Sequence, residues 1–223
     1  LKLEFEKLFN SIDKKTSLIL LANPNSPTGT IIPDDYILKI LKKAKHNKSF
    51  VVIDEAYFGF YKQSSIKFLK TFNNLIILRT FSKAIGMAGI RTGYIISSKQ
   101  NIKRLYSLRP MYEISSISCL AIKEILKNYQ IVKKYIYETN EGKVFLVDQL
   151  KKMKLKSFKT YSNFILVDFK NKRLCLKIFN NLNKKKILSR KAPNIEACKN
   201  SLRFTLGPKK FMQILIKEIK KSI

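Results

Sequence analysis

The 223-residue chain has very few of the side chains that usually carry metal or acyl-transfer chemistry. Its one histidine, His46, sits in a lysine-rich stretch that reads as a solvent-facing helix. A Ser-His-Asp triad or a multi-histidine metal site would need residues this sequence does not have. The three cysteines, Cys119, Cys175 and Cys198, are odd in number, far apart and form no C-x-x-C pair. That spacing argues against a disulfide framework and against zinc. No apolar run reaches the roughly 18 residues of a membrane span. The start, Leu1-Lys2-Leu3-Glu4-Phe5-Glu6, has neither an initiator Met nor the apolar core of a signal peptide. The expectation is a cytoplasmic chain, with no membrane association, that begins inside a longer protein.

Acidic residues are also scarce. There are 15 Asp+Glu against 45 Lys+Arg, a formal net charge of +30. Such an excess usually suggests nucleic acid. Here nearly all of it is lysine, and Lys, Asn and Ile run high together, as AT-rich coding would produce. The lysines are spread along helical stretches and do not form one arm or a basic-aromatic platform, so no specific nucleic-acid partner is expected. What the chain has in quantity is apolar residues, 45% of the total, enough to build a real core.

In the first half, short apolar runs at 17–21, 50–53, 75–78 and 94–96 end in polar or glycine-containing turns. Their length and branched residues suit fully buried strands. Helical patterns lie between some of them. One opens at Pro33-Asp34-Asp35 with an acidic first turn, and another covers about 99–105. Strands alternating with helices imply an α/β layer with a mainly parallel sheet, whose functional groups collect at the carboxyl ends of the strands. From residue 115 the pattern changes to two long helices, 116–128 and 131–152, although Gly142 weakens the second. Strands at 163–169, 187–188 and 202–206 and helices at 172–182 and 208–221 follow, with Pro208 in the last helix's first turn. This reads as a small α+β domain. The lysine runs at 184–186 and 209–210 are expected in solvated turns. The division is 1–130 and 131–223.

Each strand end carries a motif. Asn23-Pro24-Asn25-Ser26-Pro27-Thr28-Gly29 follows the first. Two prolines and a glycine make it rigid, and Asn and Ser put donors at its tip, although on its own it is equally a plain turn. Asp54-Glu55-Ala56-Tyr57 ends the second. A carboxylate at a buried strand end needs a partner, and a pyridinium nitrogen or an ordinary salt bridge would each serve. Thr80-Phe81-Ser82-Lys83 follows the third, with Gly86, Gly89 and Arg91 close behind. An amine held among apolar and hydroxyl groups has a lowered pKa and acts as a nucleophile or proton carrier. Thr80, Ser82 and the forked Arg91 guanidinium suit a phosphate. A reactive amine next to a phosphate-binding turn points to a phosphorylated aldehyde cofactor, pyridoxal 5′-phosphate.

Asn-Pro-Asn-Ser-Pro-Thr-Gly, then Asp-Glu-Ala-Tyr, then Thr-Phe-Ser-Lys-x-x-Gly-x-Ala-Gly-x-Arg-x-Gly-Tyr, in this order and spacing, resemble the class I/II aminotransferases of pyridoxal-phosphate fold type I. The likeness is greatest to the histidinol-phosphate branch. Arg109-Pro110-Met111-Tyr112, Ser162-Asn163-Phe164 and Leu202-Arg203-Phe204 extend it over essentially the whole chain. The resemblance implies part of the large cofactor-binding domain followed by the small C-terminal domain, with the family's N-terminal part not represented. It implies that Lys83 binds the cofactor covalently and moves the substrate proton. Asp54 would pair with the pyridine nitrogen, Tyr57 and Asn25 with the ring oxygen, and Thr80, Ser82 and Arg91 with the phosphate. Arg203 would hold the substrate carboxylate, Arg190 a distal anionic group, and Asn163 would lie with them at the substrate. An amino donor, a 2-oxo acid acceptor and a homodimer are implied as partners. Decarboxylases and lyases share the fold and the lysine, and a chain lacking the N-terminal part could instead be a catalytically impaired remnant. Two positions depart from the family pattern. Ser26 stands where Asn usually precedes Pro-Thr-Gly, and Glu113 places a negative charge where Asn is usual.

Overall fold

A computed structural model describes residues 3–192 and 195–223. They form two compact units. One holds the described residues up to Asn25 together with Thr30–Val132, and the other holds Ser26–Gly29 and Lys133–Ile223.

The N-terminal unit is built on four strands, β1 (Leu18–Ala22), β2 (Phe50–Asp54), β3 (Leu75–Thr80) and β4 (Gly93–Ser97), paired in that order. The first three run parallel, with Ala22 opposite Asp54 and Asp54 opposite Leu78. The fourth returns antiparallel, Thr80 facing Gly93. Helices α1 (Phe5–Ser11) and α2 (Asp34–His46) cover one face. Pro33 caps α2, and Asp34 and Asp35 sit in its first turn, where the helix dipole favours negative charge. Its Ile37, Ile40, Leu41 and Ala44 share one stripe and are almost fully buried, as are Val51, Ile53, Leu75 and Ile77 of the sheet. Each such aliphatic side chain contributes about 1.5–3 kcal/mol by leaving water.

The strands were expected to be buried on both sides. The first two alternate instead, one sheet face being more deeply packed than the other among the described residues. Ile19 and Leu21 are buried, while Leu18 and Leu20 are 58% and 67% exposed. Two serine-capped helices complete the unit. In α3 (Lys99–Ser107) the Ser98 hydroxyl accepts from Asn101 N, and in α4 (Ser116–Lys127) the Ser115 hydroxyl accepts from Ser118 N.

Helix α5 (Tyr129–Lys152) leads into the C-terminal unit without a break. Gly142 lies inside it without interrupting it, at a propensity cost of about 1 kcal/mol. A β-carbon there would lie 1.9 Å from the Gly207 carbonyl oxygen, so the glycine permits a close backbone approach. Strands β5 (Lys156–Ser157), β6 (Phe164–Asp168), β7 (Arg190–Lys191) and β8 (Ser201–Thr205) form an antiparallel sheet in the order β5-β6-β8-β7. Helices α6 (Lys172–Lys184) and α7 (Lys209–Ser222) pack on it around Leu146, Leu150, Phe169, Ile178, Leu202 and Ile219.

Three local expectations fail here. Residues 187–188 are not a strand. Lys186 takes a left-handed φ of 57°, its N–H reaches Asn183 O, and Ile187 N reaches Leu182 O. That is a Schellman helix end, and Ile187 packs back on the core as its apolar contact. Pro208 caps α7 and does not belong to its first turn, and Lys209 and Lys210 lie exposed inside the helix and not in a turn.

Candidate active site

Three parallel strands in register deliver their carboxyl ends to one edge of the N-terminal unit. Past β1, Asn23 donates its N–H to Asp54 O at 2.9 Å. Its buried side chain then bridges to Ile32, Oδ1 accepting from Ile32 N at 2.9 Å and Nδ2 donating to Ile32 O at 3.2 Å. The Asn25 N–H donates to Thr30 O at 2.8 Å. These bonds close the loop at its base and fix where Asn25 leaves the sheet.

Asp54 ends β2. Its Oδ1 accepts from Ala56 N at 2.8 Å, and no described cation pairs with it. Tyr57, three residues on, is buried. Lys83 follows β3 by three residues, half-buried, in a turn closed by Gly86 N donating to Lys83 O at 3.0 Å. Gly86 has φ +80°, a conformation that glycine adopts without strain. The Lys83 ammonium lies 5.7 Å from the centre of the Tyr57 ring and has no described carboxylate partner. The unit therefore holds Asp54, Tyr57 and Lys83 at the ends of neighbouring strands, with an anion and a cation that are not neutralised by each other or by any described neighbour.

The residues expected to hold a phosphate are arranged less openly. Ser82 N donates to Thr80 Oγ1 at 3.1 Å, and that hydroxyl donates to Thr92 O at 3.3 Å. Arg91 is exposed, in a left-handed conformation with φ 53°, and its Nη1 donates to Ala88 O at 2.9 Å.

In the C-terminal unit, Arg190 of β7 stands directly opposite Arg203 of β8. The Arg203 guanidinium lies 4.8 Å from the Phe164 ring centre and donates weakly to Ser26 Oγ at 3.5 Å. Neither arginine is ion-paired with a described acid. Two like charges facing each other across a ladder destabilise it, so the pair suits an added anion. Asn163 immediately precedes β6, and its carbonyl accepts from Leu206 N at 2.7 Å. The expected cofactor set thus lies in one unit and the expected substrate set in the other. Glu113 is half-neutralised on the surface by Arg109, 3.2 Å away.

The sequence reading missed Glu55 and Arg79. Glu55 is 3% exposed, and its carboxylate accepts from Ser65 N at 2.7 Å, Ser64 Oγ at 2.9 Å and Arg79 Nε at 3.0 Å. Arg79 also stacks 3.5 Å from the Phe58 ring centre. An arginine inside an otherwise apolar strand was the available signal, since such a charge requires a buried partner. This pair lines a cavity of about 400 Å³ with Phe81, Tyr94 and Tyr129. Neither Lys83 nor Asp54 lines it, so it is not the site described above.

Cys175 and Cys198 are buried free thiols, and burial raises the pKa of both. Among the described residues no group of three or more His, Cys, Asp or Glu could hold a metal, and no helix is long and apolar enough to cross a membrane.

Comparison with known proteins matches residues 1–219 to the family "Aminotransferase class I and II". The histidinol-phosphate aminotransferase of Buchnera aphidicola subsp. Schizaphis graminum is 39% identical over 214 residues, covering 94% of this chain and 59% of that protein. The one from Caldanaerobacter subterraneus subsp. tengcongensis is 33% identical over 220 residues, covering 98% and 61%. The crystal structure of histidinol-phosphate aminotransferase from Sinorhizobium meliloti, in complex with pyridoxal-5′-phosphate, superposes with a TM-score of 0.85 at 22% identity, covering 99% of this chain and 62% of that one. The chain spans about three-fifths of the length of the curated relatives it matches.

Proposed function

The chain belongs to the class I and II aminotransferases, and from that premise we propose that it carries the lysine-bearing part of a pyridoxal-phosphate-dependent transaminase. The amino group passes between an amino acid, or an amino-acid-like phosphate such as histidinol phosphate, and a 2-oxo acid. The observation that carries this reading is the pair of unneutralised charges, Asp54 at the end of β2 and Lys83 with its ammonium 5.7 Å from the ring centre of the buried Tyr57. A half-buried carboxylate without a described cation fits a protonated ring nitrogen, and an amine without a described carboxylate fits an aldehyde.

Pyridoxal 5′-phosphate, when bound, supplies an electron-withdrawing ring that stabilises negative charge on the substrate's α-carbon. The protein's part is to bind, orient and move protons. Asp54 would keep the ring nitrogen protonated. Tyr57 and Asn25 would hydrogen-bond the ring oxygen and fix the ring's tilt. Thr80, Ser82 and Arg91 would hold the phosphate, Arg91 by exchanging its bond to Ala88 O for a charged acceptor, which is the stronger one. Lys83 would take the proton from the substrate α-carbon and deliver it to the cofactor's C4′ carbon. Arg203 would grip the substrate carboxylate, Arg190 a distal anionic group, and Asn163 would line the same place. We assign 1–130 to the large domain and 131–223 to the small one, in a cytoplasmic homodimer.

The test is spectroscopic. The purified chain mixed with pyridoxal 5′-phosphate is expected to develop a yellow absorbance band that borohydride traps as a mass increase on the peptide holding Lys83. Lys83→Ala is expected to lose both. A band that persists in that variant refutes the lysine assignment. A colourless wild type favours the remnant, a family core that no longer holds its cofactor.

A further inference from the structure

We propose that the C-terminal unit binds a small amphipathic carboxylate in the cavity between α5 and the β5–β6 connection, with the Lys143 ammonium as its counter-ion. The cavity is about 620 Å³, within the usual range for a small-molecule site. Its floor is apolar: Phe158 and Ile165 are 8% and 1% exposed, and Val144 and Val147 of α5 stand beside them. Lys143 and Lys159 lie at its wall.

The charges make it an anion site and not simply a greasy groove. Lys143 is half-buried, and no described group accepts a hydrogen bond from it or pairs with it. Its desolvation is uncompensated, and burial holds its pKa below the ordinary lysine value. Lys159 has no described acid partner either, and its ammonium rests 5.2 Å from the Tyr161 ring centre. The one carboxylate in the lining, Asp148, is committed to Lys152 at 2.8 Å. The wall therefore carries one half-buried cation without a described partner, Lys143, and one exposed cation, Lys159, beside an apolar floor. A ligand with an apolar body and one carboxylate satisfies both features, and a neutral apolar molecule satisfies one.

The probe is 3-phenylpropionate, titrated into the full chain carrying labelled Val and Ile methyl groups, with 3-phenylpropanol as the neutral isostere. Saturable binding is expected, with shifts concentrated on Val144, Val147 and Ile165. A charge-assisted bond is strong enough that the alcohol, and the acid on Lys143→Met, should each bind about tenfold more weakly. Lys143→Arg should restore the acid's affinity. If Lys143→Met fails to fold, as its probe-free methyl spectrum would reveal, the acid-against-alcohol comparison on the wild type decides alone. Equal binding of acid and alcohol overturns the proposal, as do shifts centred on other exposed apolar residues. So does a dependence of the same methyl signals on protein concentration without probe, which would assign the groove to a second copy. None of these outcomes bears on Lys83, which lies in the other unit.

Discussion

Removing the Arg79 guanidinium should loosen the strand ends that present Asp54 and Tyr57, although Arg79 itself faces a different cavity. The Arg79 and Glu55 side chains are 10% and 3% exposed, and Nη2 and Oε2 are 3.0 Å apart. Breaking such a pair from one side costs about 3–5 kcal/mol, because the remaining charge stays buried. Arg79→Met leaves the Glu55 carboxylate with only Ser64 and Ser65 as donors. It also removes the guanidinium stacked on Phe58, an interaction worth about 2 kcal/mol when desolvated. Glu55→Met/Arg79→Met removes both charges and orphans the Ser65 N–H, a loss of about 1–3 kcal/mol. The double variant should therefore be more stable than Arg79→Met, and the two single losses should fail to add by about 2 kcal/mol or more. With two units in one chain, a single melting curve mixes their responses, so amide hydrogen exchange of β2 and β3 is the assay. A loss of about 3 kcal/mol accelerates exchange there roughly a hundredfold, with the β6 and β8 amides unchanged. A loss under about 1 kcal/mol for Arg79→Met, or additive single losses, would refute the reasoning.

Gly142→Ala sets helix propensity against packing. The helix gains about 1 kcal/mol, but a β-carbon 1.9 Å from Gly207 O forces the backbone apart, an overpacking loss of about 1–3 kcal/mol or more, so amide hydrogen exchange of β6 and β8 should show net destabilisation of the C-terminal unit. Lys143→Met should stabilise the chain at neutral pH, where the half-buried ammonium is charged in the folded state. Its folded pKa is depressed, so the unfolded chain binds more protons in the window below about 10.5, and wild-type stability rises relative to the variant through that window. Urea titrations of both proteins from pH 7 to about 10.5, followed on the Val144 and Ile165 methyl signals of the C-terminal unit, should show the gap closing.

The grouping of the candidate residues was legible because of backbone register more than residue chemistry. Parallel strands in step place Ala22, Asp54 and Leu78 side by side. Whatever follows each strand is then delivered to one edge, so recognising three strands was enough to gather Asn25, Asp54, Tyr57 and Lys83 into one unit. Where the deciding partner is distant, the same reasoning had nothing to work with. Glu55 is explained by Arg79, 24 residues on. Gly142 is explained by Gly207, and a lone glycine in a helical pattern reads as a defect until that neighbour is known. The strand expected at 187–188 failed differently. The Schellman turn that absorbs Ile187 uses a lysine in the left-handed position where glycine is the usual marker, so two apolar residues after a lysine run looked like a strand. The short strand lies three residues further on, and its place has a chemical consequence. Only with β7 at Arg190–Lys191 does Arg190 come opposite Arg203, so the register turns two arginines, each attributed separately to the substrate, into one doubly cationic patch.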